Sequence, residues 1–267
     1  EICACLVGSE MCIRDRAGEA AFAAARLTEK SEERERYCRL AVMAGHRKAC
    51  RMFCLLHPER FDGHSPHKPF KLRGIRISFY GYYYPSRYNA LLNDEQRAFC
   101  HSIYQFKQGD IHGIEFFKTC MNALQLKKRP YHIMFMPCSN WIKYGQRFKR
   151  LDWYIGKHRQ DLTSGLYDVD ICDARESLHE AKGGEKRILE RNYLITGKIK
   201  GKEIIIIDDV LTTGQSVVDY KEEIERCGGK VVAAIFYGKT LSMPSMLLVQ
   251  IHVWGNHIAH IIERMTK

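Results

Sequence analysis

Four isoleucines, Ile204 to Ile207, run into two adjacent carboxylates, Asp208 and Asp209, and then into Thr212-Thr213-Gly214-Gln215-Ser216. A β-branched run, apolar at every position, reads as a parallel strand buried on both faces. Such a strand needs helices on both sides of its sheet, so this stretch places the chain in an α/β architecture. The segment Val217 to Arg226 reads as the next helix. A tight turn from a parallel strand into a helix gathers backbone N–H groups and the positive helix end around an anion. The hydroxyls of Thr212, Thr213 and Ser216 add donors for the same oxygens, and Gly214 lets the backbone approach closely. One end of the stretch therefore suits a phosphate. The other presents two carboxylates that suit a diol or a metal.

In its order of strand, acid pair, loop and helix, the stretch closely resembles the phosphoribosyl pyrophosphate (PRPP) motif of the type I phosphoribosyltransferases. The resemblance implies that Asp208 and Asp209 are the catalytic carboxylates and hold the ribose 2′- and 3′-hydroxyls. It assigns Thr212, Thr213, Gly214, Gln215 and Ser216 to the 5′-phosphate. It also implies a twisted, mainly parallel sheet flanked by helices. A Walker phosphate loop competes poorly, because no Gly-Lys-Ser/Thr is present.

Flanking segments narrow the resemblance to the ComF-like branch and extend it over residues 95–267. Ser102 to Asp110 (Ser-Ile-Tyr-Gln-Phe-Lys-Gln-Gly-Asp) resembles the segment that precedes the first strand in ComF-type proteins. Tyr131 to Met136 is a short apolar strand leading into Pro137-Cys138-Ser139-Asn140, and Tyr144 to Arg150 partly matches the basic helix start of that family. Arg187 to Tyr193 and Lys198 to Lys202 match its lead-in to the PRPP strand. The resemblance puts the pyrophosphate against Cys138, Ser139 and Asn140, with Lys182, Lys186 and Arg187 closing from a Gly183-Gly184 hinge. It implies Mg2+ as the cofactor, reached by Asp208 and Asp209 indirectly through the ribose hydroxyls. Purine-salvage members carry an Asp where this chain has Thr212, so purine salvage is disfavoured. The implied function is transfer of a phosphoribosyl group from PRPP to an acceptor that the sequence does not identify, with release of pyrophosphate. The alternative is a non-catalytic PRPP- or nucleotide-binding protein, or one that handles single-stranded DNA during DNA uptake. Beyond the motif, Gly228-Gly229 ends the helix, Val231 to Tyr237 reads as the next strand, Leu247 to Trp254 as the last strand, and Ile258 to Met265 as a closing helix.

The first half reads differently. Glu1 to Arg16 shares no periodicity with the residues after it, resembles a translated sequencing-adapter remnant, and is set aside as a non-native extension. Ala17 to Leu56 reads as a helix pair with Tyr37, Leu40, Ala41, Ala44, Ala49 and Phe53 on one face. Arg36 to Ala49 weakly resembles a Sel1-type helical repeat. Residues 57–69, with three prolines, read as a linker, so that 17–69 forms one helical segment. Cys50, Cys54, His57, His64 and His67 lie close in sequence here, but the spacing of a zinc ribbon is absent. Residues 70–94 read as an aromatic hairpin or arm turning at Gly81.

The net charge of +11 suits an anionic partner, whether a pyrophosphorylated substrate or nucleic acid, with Lys71, Arg73, Arg76 and Lys143 to Arg150 as the basic surface in the second case. Eleven cysteines without a framework point to a reducing compartment. With no bilayer-spanning run and no recognisable secretion signal, a cytoplasmic location without membrane association is expected. A homodimer is allowed for.

Overall fold

The computed structural model describes residues 2–111, 113–171 and 192–265. The chain divides into two compact units, one of 1–63, 84–97 and 241–267, the other of 64–83 and 98–240.

In chain order the elements are α1 (Ile2–Leu27), α2 (Ser31–Met43), α3 (Arg47–Leu56), α4 (Pro58–Asp62), β1 (Phe70–Leu72), β2 (Ile75–Tyr83), a 3-10 turn (Ser86–Leu91), α5 (Asp94–Gln108) and α6 (Ile114–Leu124). Next come β3 (Tyr131–Phe135), α7 (Trp141–His158), β4 (Leu162–Ser164), β5 (Val169–Ile171), β6 (Tyr193–Ile195), β7 (Glu203–Leu211), α8 (Gln215–Arg226), β8 (Lys230–Thr240) and α9 (Met246–Met265).

The larger unit is built on a six-stranded sheet in the order β1-β2-β8-β7-β3-β4. All neighbours run parallel except the β1–β2 hairpin at the edge. This is the mixed α/β sheet that the isoleucine run demands. Ile204 to Ile207 are fully buried, paired with His132 to Phe135 of β3 on one side and with β8 on the other. α7 connects the parallel strands β3 and β4, and α8 connects β7 and β8, as parallel pairing requires. β5 and β6 form a separate antiparallel pair.

Two readings of this unit change. The turn of the aromatic hairpin is Arg73-Gly74, not Gly81, which lies inside β2 opposite Gly238. Gly81 serves packing, because a Cβ there would strike the Phe99 ring at 2.5 Å. The strand β2 is not a free arm but a member of the sheet, parallel to β8.

In the smaller unit, residues 17–56 form three helices rather than a pair. Gly45, at φ 87°, ends α2, and the His46 side chain accepts the Ala49 N–H at 3.1 Å to start α3. The buried stripe of α2 is Cys38, Ala41 and Val42, while Leu40 is exposed. The linker holds the short helix α4, begun by Pro58 and stopped by Gly63. The largest correction is at the C-terminus. Residues 246–265 form one helix, α9, where the sequence predicts a strand and a short helix. Val249 and Val253 of α9 are buried. Among the described residues no helix is long and apolar enough to cross a membrane.

Candidate functional site

The carboxyl end of β7 delivers the acid pair. Strand alternation buries Asp209 and leaves Asp208 half-buried. The Asp209 N–H donates to Asp208 Oδ1 at 2.7 Å. Two cations meet these carboxylates. Arg147 of α7 places Nη1 2.6 Å from Asp209 Oδ2 and 3.8 Å from Asp208 Oδ1. Lys107, near the end of α5, brings Nζ within 3.5 Å of Asp209 Oδ2.

The helices that carry the cations are fixed by close contacts. α5 lies tight on β8, since a Cβ on Gly238 would come within 2.6 Å of Ile103. The chain leaves α5 through Gly109, at φ 80°, where a Cβ would stand 2.4 Å from the backbone oxygen of Gln146. Only glycine permits this approach of α5 to α7, and it aligns Lys107 with Arg147.

Burial, and then the neighbouring Asp209, pushes the Asp208 carboxyl up to about 7, against the pull of Arg147. Burial, the largest single influence, disfavours the Arg147 cation, but Asp209, Cys138 and Asp208 together outweigh it and hold the guanidinium above the usual arginine range. Arg147 Nε and Asp209 Oδ2 are buried yet make no well-directed hydrogen bond among the described residues. The cluster is thus charge-balanced but not fully hydrogen-bonded, which leaves capacity for donors and acceptors of a ligand.

The loop after β7 is outward-facing. Thr212, Thr213, Gln215 and Ser216 are exposed, and Gly214 is buried at φ 79° against Leu72. Gly214 caps α8, so the first turn of that helix opens toward the loop. Thr213 Oγ1 accepts the Gln215 N–H at 3.4 Å. The Gln215 side chain is engaged on both sides: it accepts from Arg73 at 2.9 Å and donates to Asp219 at 2.6 Å. Arg73, at the β1–β2 turn, therefore brings a cation to the loop's edge.

After β3, Cys138, Ser139 and Asn140 lead into α7. The Asn140 side chain accepts the Lys143 N–H at 2.9 Å and caps the helix. Asn192 donates to the carbonyls of Cys138 at 3.1 Å and Ser139 at 3.4 Å, which pins the loop. Burial pushes the Cys138 thiol up to about 12, so it is no nucleophile at neutral pH. Below this loop, His132 of β3 is held at 2.7 Å by both Thr163 and Asp168, and burial lowers its pKa, which keeps it a neutral strut. Lys182, Lys186 and Arg187, expected to close over the pyrophosphate, lie outside the described residues.

The residues that the motif did not flag are Arg147, Lys107 and Arg73. All three lie in segments already noted, but nothing in their spacing says that Arg147 and Lys107 converge on Asp209 or that Arg73 meets Gln215.

The cysteine–histidine group does not assemble. Cys50 and Cys54 are buried, and burial pushes the Cys54 thiol up to about 12. His57 Nε2 faces Glu35 at 3.2 Å, and His64 stacks on Phe70 at 3.8 Å. Among the described residues there is no group of three or more His, Cys, Asp or Glu placed to hold a metal.

Residues 160–240 match the family model of the phosphoribosyl transferase domain. An orotate phosphoribosyltransferase of Sulfolobus acidocaldarius is 42% identical over 57 residues, which make up 21% of this chain and 26% of that protein. The chain thus spans about a quarter of the length of the curated relative it matches.

Proposed function

We propose that this chain is a PRPP-binding type I phosphoribosyltransferase of the ComF-like branch, releasing pyrophosphate as it transfers the phosphoribosyl group to an acceptor. The observation that carries this reading is the continuity of the site. The acid pair at the end of β7, the hydroxyl-rich loop and the start of α8 succeed one another without a break, inside a segment that matches the domain family.

The roles rest on the geometry. Asp208 and Asp209 accept the ribose hydroxyls and stabilise the positive charge that develops on the ribose ring in an oxocarbenium-like transition state. Thr212, Thr213, Ser216 and the first N–H groups of α8 hold the 5′-phosphate, with Gly214 giving backbone access and Gln215 tethering Arg73 beside it. The capped start of α7 at Cys138 to Asn140 offers N–H groups to the pyrophosphate. Arg147 and Lys107 keep the acid pair charge-balanced before the substrate arrives.

The donor set bears on magnesium. Two carboxylates already face two cations, so Asp208 and Asp209 lack the net charge that direct ligation of a divalent ion favours. Mg2+ would fit as an ion that Asp208 and Asp209 reach only through the ribose hydroxyls. When bound, it neutralises the leaving pyrophosphate.

A second reading has its own support. A cavity of about 450 Å3 on the outer side of α7 is lined by Trp141, Tyr167, Lys149 and Arg150 among others. Exposed rings beside cations suit unstacked bases, either those of an acceptor or those of single-stranded DNA. An assay for PRPP-dependent pyrophosphate release, run with nucleobase acceptors and separately with single-stranded oligonucleotides, decides between them. Acceptor-stimulated release supports the enzyme. Salt-sensitive oligonucleotide binding without any release contradicts it.

A further inference from the structure

We propose that the outward face of α9 is a self-association seam that pairs two copies of this chain. Leu247, Ile251, Trp254, Ile258, Ile261 and Met265 succeed one another at spacings of four, three, four, three and four residues. That is the core spacing of a coiled-coil helix, sustained over five intervals. All six are exposed, from 44% for Trp254 and Ile261 to 81% for Met265. Val249 and Val253, on the opposite side of the same helix, are buried. The helix is therefore apolar on two faces, and among the described residues one of them is buried while the other is left exposed. This two-sided apolarity is also why residues 247–254 read as a strand.

Three observations select a second copy as the occupant. The first is area. At roughly 150–200 Å2 for a fully exposed large apolar side chain, these six residues and the flanking Leu248 leave on the order of 700 Å2, near the ~800 Å2 per partner of a standard interface. The second is charge. No Asp, Glu, Lys or Arg occurs from Met246 to Ile262, so no charge pattern selects a different partner or repels an identical helix. A helix lying on a lipid surface would carry lysines and arginines along its polar positions, and α9 has Gln250, His252, Asn256 and His257 on the flanks between its two apolar faces. The third is access. Gly255, midway along the helix, leaves its flank open, with nothing within 4 Å of an added Cβ.

The test is sedimentation equilibrium of the full chain at micromolar concentration, with Ile251→Glu/Ile258→Glu as the comparison. The wild type is expected at twice the 31.1 kDa chain mass. The double variant is expected to be monomeric, with its dissociation constant raised on the order of 100-fold by a buried unpaired charge. Its far-UV dichroism should not change, because both positions are exposed in the single chain. Should the charged variant unfold, Ile251→Ser/Ile258→Ser replaces it, with weakening on the order of 10-fold expected. Trp254 emission should shift to the red in whichever variant dissociates. A monomeric wild type, a dimer that survives both double variants, or a monomer that binds phosphatidylglycerol vesicles through α9 would each overturn the proposal.

Discussion

Arg147 decides how the acid pair behaves. Without a cation 2.6 Å from Asp209, two adjacent carboxylates at a buried strand end could not both ionise readily. Even with it, Asp208 is pushed up to about 7, first by burial and then by Asp209. Ribose hydroxyls are donors, and the ionised carboxylate is the better acceptor. PRPP affinity is therefore expected to rise between about pH 6 and about pH 8 as Asp208 loses its proton. Arg147→Met should weaken PRPP binding by about 10-fold or more at neutral pH and move the midpoint of that rise upward. Titration calorimetry across pH reads both effects, and an unmoved midpoint would contradict the role given to Arg147. Stability carries the same signature with a definite sign. The folded chain holds the Asp208 proton more tightly than the unfolded chain, whose carboxyl has the ordinary value of 3.8. The contribution is full below that value and is lost as the pH rises to about 7. Asp208→Asn abolishes the loss. The variant's stability relative to wild type should thus grow by about 1–3 kcal/mol between pH 5 and pH 8 in urea denaturation, and a constant difference would argue against a raised carboxyl.

Among the elements, β7 with its loop is the most legible in sequence, because an isoleucine run buried on both faces has few other homes. Gly214 and the start of α8 come from the same pattern. The convergence of α5 and α7 is not legible. It depends on Gly109 meeting the backbone of Gln146, a contact between residues far apart in sequence that no local periodicity records. Gly109→Ala is expected to destabilise the fold by roughly 1–3 kcal/mol, through its positive φ and the 2.4 Å approach, and to weaken PRPP binding by moving Lys107 and Arg147 off Asp209. Thermal unfolding with PRPP titration checks this; normal affinity in a destabilised variant would mean that the contact is structural only. α9 shows a different failure. A short apolar run does not distinguish a buried strand from a helix with two apolar faces. The strand reading of 247–254 fails because the helix continues to Met265 and pairs its valines on one side with exposed apolar residues on the other. The turn reading of Gly81 fails for a related reason: glycine marks a close approach inside a strand as readily as it marks a turn.

For the molecule as a whole, the candidate site lies at the carboxyl ends of parallel strands, where the general rule for open α/β sheets places ligands. The α/β class is legible in residues 203–216, whereas the membership of β2 in the sheet is not. Its aromatic alternation fits an exposed hairpin equally well until β8 is known to lie beside it. The charge of +11 is consistent with an anionic substrate, and part of it is spent internally, with Arg147 and Lys107 on the acids and Arg73 at the loop between β7 and α8. The loop between β7 and α8 is proposed to hold the 5′-phosphate of PRPP. The most direct test is calorimetric titration with PRPP and Mg2+ of the wild type and of Thr213→Val/Ser216→Ala, whose exposed hydroxyls lie outside the buried charge cluster. We expect the wild type to bind and the variant to bind at least about 10-fold more weakly with unchanged thermal stability. Equal affinity in the two proteins, or no binding by the wild type, would contradict the account.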